Sequence, residues 1–142
     1  MIQLFNCNRY KKREVGMTLI ELLFTVAIIA VLAAIAYPSY TNHVLKAHRT
    51  AAKTDMLRMQ LILEEGYQGS YDWSNIISGG SCTICDSDTD RYQFSIASSS
   101  TTPYTIMALA QTTKGQTNDS CLSNDNKMTL NAKGQRSPIE CW

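Results

Sequence analysis

Beyond residue 16 the chain lacks a basic field. Arg9, Lys11, Lys12 and Arg13 face Glu14 in the first sixteen residues, and the remainder carries 9 basic and 11 acidic groups. A head of that balance has no broad attraction for nucleic acid. Catalytic constellations are also missing. No Ser-His-Asp set, phosphate-cradling glycine loop or pair of catalytic carboxylates stands out, so the expectation is no enzyme and no cofactor. The two histidines, His43 and His48, lie five apart, off one clean helical face, and read as surface residues rather than ligands. Asp86, Asp88 and Asp90 alternate, but the glycine and terminal glutamate of a calcium loop are absent, which leaves a solvated acidic loop. No metal site is expected, and there is no internal repeat.

Long apolar runs are missing too, with one exception. Across residues 22–36 the only polar side chain is Thr25. Counting from Met17 to Tyr37, a helix would cover about 30 Å, the thickness of a bilayer's hydrocarbon core. The basic flank is expected to stay cytoplasmic, which puts the C-terminal head outside. Three ordinary readings fit such a run. It could be a secretory signal cut after Ala34-Ile35-Ala36, a single-span anchor, or a buried core helix. Glu21 argues against all three, because a carboxylate near the start of an apolar span is costly and usually has a partner or a function. The rest of the chain is also too small to enclose a helix that is apolar all round.

Pro38 follows the run, and Ser39 is a candidate cap for a fresh helix. Further on, Leu45, Ala52, Met56, Met59, Leu63 and Tyr67 fall on one helical face, with Lys46, Arg49, Lys53, Arg58 and Glu64 elsewhere. Gly66 and Gly69 mark the end, so the spacing predicts an amphipathic helix over 39–68. Residues 69–90 read as loop. Tyr92, Phe94 and Ile96 alternate, as do Tyr104, Ile106, Ala108 and Ala110, which predicts a hairpin. A third strand is expected around Met128 to Leu130, followed by a turn over 131–134. The fold class is α+β, a long helix on an antiparallel sheet of three or four strands.

Of five cysteines, Cys7 stands alone in the basic leader, while Cys82, Cys85, Cys121 and Cys141 share the polar head. An even set in a small head beyond a membrane segment reads as two disulfides, and four cysteines allow three pairings. A redox or zinc role for Cys82-Thr83-Ile84-Cys85 is disfavoured. The βαβ context of thioredoxin-like sites is absent, and no second Cys-x-x-Cys is present.

Gly16-Met17-Thr18-Leu19-Ile20-Glu21, with a basic flank before it and the apolar run after it, resembles the class III signal of type IV pilins and type II secretion pseudopilins. The resemblance implies cleavage between Gly16 and Met17 by a prepilin peptidase and N-methylation of Met17. Most members carry Phe at that position, and the leader, at 16 residues, is somewhat long. The cut would create an α-amine of reference pKa about 8. Glu21 of one subunit would then meet the Met17 amine of the next, since either charge left alone in an apolar bundle is expensive. Pro38 matches the proline that kinks the family's long helix.

Met128-Thr129-Leu130-Asn131, Gly134-Gln135-Arg136 and Cys141-Trp142 resemble the tail of PilE-like minor pilins, a group that includes ComP-related members. That resemblance implies a Cys121–Cys141 bridge, which leaves Cys82–Cys85. It also implies an organisation of leader 1–16, transmembrane and assembly helix 17–37, and head 38–142, with the sheet and disulfide region over 91–142.

The implied role is structural. A minor pilin would initiate or cap a type IV pilus and support adhesion and twitching motility. Its partners would be the peptidase, the major pilin and other minor pilins. It would sit in the inner membrane with a periplasmic head before assembly, and in the extracellular pilus afterwards. Two alternatives accompany this reading. One is a ComP-like receptor for DNA, for which Lys114, Lys127, Lys133 and Arg136 would have to cluster, although Asp119, Asp125 and Glu140 are interspersed. The other is a type II secretion pseudopilin, against which the C-terminal cysteines and tail argue.

Overall fold

The computed structural model describes residues 16–142. Residues 1–15, with Cys7 and most of the leader, lie outside the described residues. The chain divides into two compact units, one ending at Tyr37 and the other running from Pro38 to Trp142.

A single helix, α1 (Leu19–Glu65), enters both units. It starts where Thr18 Oγ1 accepts the Glu21 amide at 3.3 Å and Thr18 O accepts the Leu22 amide at 3.2 Å. Thr-x-x-Glu at a helix start is the sequence of a capping box. Within the first unit every described residue is exposed. The apolar stretch is long enough to cross a membrane and finds no protein core of its own.

Pro38 lies inside α1, and the helix runs through it. Ser39 therefore caps no fresh helix: proline removes a single amide donor, which a long helix can absorb with the flanking turns intact. The helix also stops earlier than the predicted 68. It ends at Glu65, with the Gly66 amide bonded to Ile62 O at 2.9 Å. Tyr67 falls beyond it and is exposed rather than part of the core face.

The second unit is a sheet-on-helix head. Segment 69–90 contains a small hairpin that alternation did not predict, β1 (Ile77–Ser78) paired with β2 (Ser81–Cys82). Gly79 and Gly80 turn it at φ 59° and 82°, a region closed to most side chains. The main sheet has four antiparallel strands in the order β3 (Tyr92–Ala97), β4 (Thr105–Ala110), β5 (Lys127–Asn131), β6 (Arg136–Ser137). In the register of β3 and β4, Tyr92 faces Ala110 and Phe94 faces Ala108, so each large side chain meets a small one.

Period-two burial puts Tyr92, Phe94, Ile106, Ala108, Met128 and Leu130 on one face. They pack on Ala52, Met56, Met59 and Leu63 of α1 in one core that also holds Cys141. Cys82 is bonded to Cys85 and Cys121 to Cys141.

Candidate functional site

Three places in the described chain carry chemistry beyond packing: the start of α1, the face of α1 that the sheet does not cover, and the charged edges of the sheet.

At the start of α1, Gly16, Met17 and Glu21 are all exposed. Nothing lies within 4 Å of where a Cβ on Gly16 would sit. Glu21 occupies the third helical position, where its negative charge also suits the helix N-terminus.

Along the second unit, α1 is amphipathic with two different faces. The sheet covers one of them. On the other, positions 40, 43, 47, 50, 54, 57 and 61 are all exposed and step by three and four. Tyr40, Ala47, Thr50, Thr54, Leu57 and Leu61 make this seam small or apolar. Its threonines are quiet, since Thr50 and Thr54 donate their hydroxyls to Lys46 O at 3.0 Å and Thr50 O at 3.1 Å. The stripe thus shows methyl groups rather than free hydroxyls.

The four cations that a DNA receptor would have to bring together, Lys114, Lys127, Lys133 and Arg136, differ in their pairing. Lys114 Nζ is held by Asp88 at 2.5 Å and Asp90 at 3.5 Å. Lys127 lies 3.5 Å from its neighbour Asp125. These two side chains found carboxylates close in the fold, one of them across a loop that no local spacing announces. Lys133 and Arg136 have no carboxylate within ion-pair distance among the described residues. Both are exposed, beside the turn between β5 and β6. The Arg136 guanidinium lies 5.2 Å from the Trp142 ring centroid, a cation–π contact that holds it at the β6 edge. The Cys121–Cys141 bridge fixes Trp142 there.

Two polar anchors went unrecognised in the sequence. Arg49, placed off the core face by its spacing, is largely buried, and its Nη1 donates to both carboxylate oxygens of Asp119, at 2.5 and 2.6 Å. Asp119 is itself buried and also accepts the Cys121 amide at 3.1 Å. It is therefore committed inside the fold and does not oppose the surface cations. Asp55, buried among apolar neighbours on α1, accepts the Asp86 and Ser87 amides at 3.1 and 2.9 Å. An aspartate at a core-facing helical position was the available signal for the second anchor. Burial holds the Lys53 ammonium below its usual range, and Arg49 and Lys46 on the same helix add to the effect.

Nothing among the described residues groups three or more metal-ligating side chains.

An apolar first helix in front of an α+β head with a C-terminal disulfide is the architecture of a type IV pilin. The prokaryotic N-terminal methylation motif matches residues 11–37. The family described as type IV minor pilin ComP, DNA uptake sequence receptor, matches residues 38–125, more than half of the chain, and the protein belongs to that family. The match ends before β5, so Lys133, Arg136 and Trp142 lie beyond it. A type IV major fimbrial protein, FimA of Dichelobacter nodosus, is 40% identical over 63 residues, 42% of this chain. The chain spans 40% of that relative's length. No solved structure matches.

Proposed function

We propose that the protein is a minor pilin that is processed at Gly16–Met17, built into a type IV pilus through α1, and displays its head to bind DNA. The observation that carries the DNA reading is the family match over 38–125. The unopposed Lys133 and Arg136 at the β6 edge support it: phosphate contacts need cations that internal carboxylates have not already neutralised.

In the assembly reading, the new Met17 amine is N-methylated, keeps its charge and pairs with Glu21 of a neighbouring subunit. Pro38 leaves one carbonyl of α1 without its amide donor, which makes it the weak point of the helix during assembly. The exposed seam over 40–61 packs against a neighbouring pilin helix, continuing the contact beyond the apolar stretch. Before assembly the apolar stretch holds the protein in the inner membrane with its head in the periplasm. The partners in this reading are prepilin peptidase, the major pilin and other minor pilins.

Intact mass and N-terminal sequence of the protein from its native envelope test the processing step. An N-methylated Met17 start is expected, and a start at Tyr37 would remove the pilus reading altogether. Fluorescence anisotropy with a short DNA duplex, over a range of salt, tests the head. Lys133→Ala/Arg136→Ala is expected to flatten the plot of log affinity against log salt by about 2, at about 0.9 for each phosphate no longer neutralised. Absence of binding at low salt would leave the purely structural role: starting or capping the pilus and supporting adhesion and twitching.

A further inference from the structure

Two further cations, Arg91 and Lys114, lie at the opposite edge of the head. They flank the start of β3 and the exit of β4, where Tyr92 pairs with Ala110. Lys114 Nζ is shared by Asp88 and Asp90 at 2.5 and 3.5 Å. The Arg91 guanidinium is held by Lys114 O at 3.4 Å and Gln116 Oε1 at 3.3 Å, with no carboxylate within ion-pair distance among the described residues. A third cation, Arg58, meets Asp86 at 3.3 Å. The 86–90 loop thus sets three carboxylates among three cations: Asp86 pairs with Arg58, Asp88 and Asp90 both pair with Lys114, and Arg91 bonds to none of them directly.

Their placement is held by the backbone. Asp88 Oδ1 accepts the Asp90 amide at 2.9 Å, and Asp88 O accepts the Arg91 and Tyr92 amides at 2.9 and 3.0 Å. Asp55 clamps the Asp86 and Ser87 amides from beneath. Exposed ion pairs contribute little to stability, so holding the fold together is a weak account of three of them in one loop. Their effect on the outer field is larger. A cation compensated within a few ångströms offers no net charge to a phosphate approaching from a Debye length of about 10 Å.

We propose that the Asp86–Asp88–Asp90 loop is a charge mask: it denies the β3 edge to polyanions and so confines DNA to the β6 edge. The two edges are three strand spacings apart, about 14 Å. A duplex could therefore engage either edge, and the mask decides between them. The inference deepens the DNA reading and rests on it for its biological use, but the mask makes a physical claim of its own.

The test uses the full chain in a nonionic detergent, with a random-sequence DNA duplex and anisotropy over a range of salt. Asp88→Asn/Asp90→Asn keeps an oxygen to accept the Asp90 amide while removing two negative charges. The salt slope is expected to steepen by about 1 as Lys114 becomes available. Binding should now survive Lys133→Ala/Arg136→Ala, and adding Lys114→Ala should return the slope by about 1. An unchanged slope overturns the mask. If the unaltered protein does not bind and the Asn variant does, the mask stands and the DNA function falls. If neither binds, both fall.

Discussion

Arg49 and Asp119 show how much one pair can decide. Each is a charge almost removed from water, and each is tolerable only because of the other. Asp119→Ala should cost about 3–5 kcal/mol, because a buried guanidinium is left alone. Replacing both residues by apolar ones of similar size should recover most of that loss, as urea titration would read. If the single and double variants are equally unstable, the pair is not what holds this junction.

Tyr92 gives a pH signature. Burial, then the nearby Asp119 charge, push its phenol up to about 12, against the Gln116 side chain that donates to its oxygen at 3.0 Å. Burial and Glu64 push Tyr104 in the same direction. A folded-state pKa above the unfolded value of 10.0 means the contribution is complete below pH 10.0 and is lost as pH rises towards about 12. Stability should therefore be level near neutrality and fall in that alkaline window by about 1.4 kcal/mol per pH unit for each tyrosine. Tyr92→Phe should remove one of these slopes in urea titrations repeated across pH.

Among the elements, the two disulfides are unequal because their loops are. Cys121–Cys141 spans a sequence separation of 20 and Cys82–Cys85 one of 3. In the chain-entropy model a loop near the first size contributes about 3 kcal/mol and a tiny loop far less. Cys121→Ser/Cys141→Ser should lower the urea midpoint much more than Cys82→Ser/Cys85→Ser, and the reverse order would contradict that account. The longer bridge should matter for function as well, since it carries Trp142 and, through it, Arg136. Helix α1 shows a second element-level division. Its alternation of three- and four-residue steps occurs twice, once for the sheet and once for the seam over 40–61. Met59→Ala on the first face should cost about 2–5 kcal/mol. Thr54→Arg on the second should leave stability in urea within about 0.5 kcal/mol of the unaltered protein, while reducing recovery of the subunit in sheared pili.

On the scale of the whole molecule, the fold separates tasks by place. The apolar first unit has no core of its own and needs a bilayer or other helices. The second unit carries its own core and exposes paired cations, such as Lys114, at one edge and Lys133 and Arg136, unpaired among the described residues, at the other. Glu21→Ala tests the coupling of the first unit to assembly. Incorporation into filaments is expected to drop sharply while the head stays folded, and incorporation at the unaltered level would end the proposal that Glu21 pairs with the Met17 amine of a neighbouring subunit.

The apolar run, the helix beyond it, three of the four main strands and the even cysteine set were legible in the residues because each rests on local periodicity or composition. Glu21 was conspicuous for the same reason, a charge where a local pattern forbids one. The short hairpin over 77–82 was not legible, since two-residue strands have no period to read. Nor could spacing reveal which cations are free. Arg49 reaches Asp119 across 70 positions, and Lys114 reaches Asp88 across 26. Charge pairing depends on distances that only the closed fold sets, so the sequence by itself determined a membrane-entering pilin with a stapled head. Tertiary structure alone decided which of that head's cations meet a carboxylate.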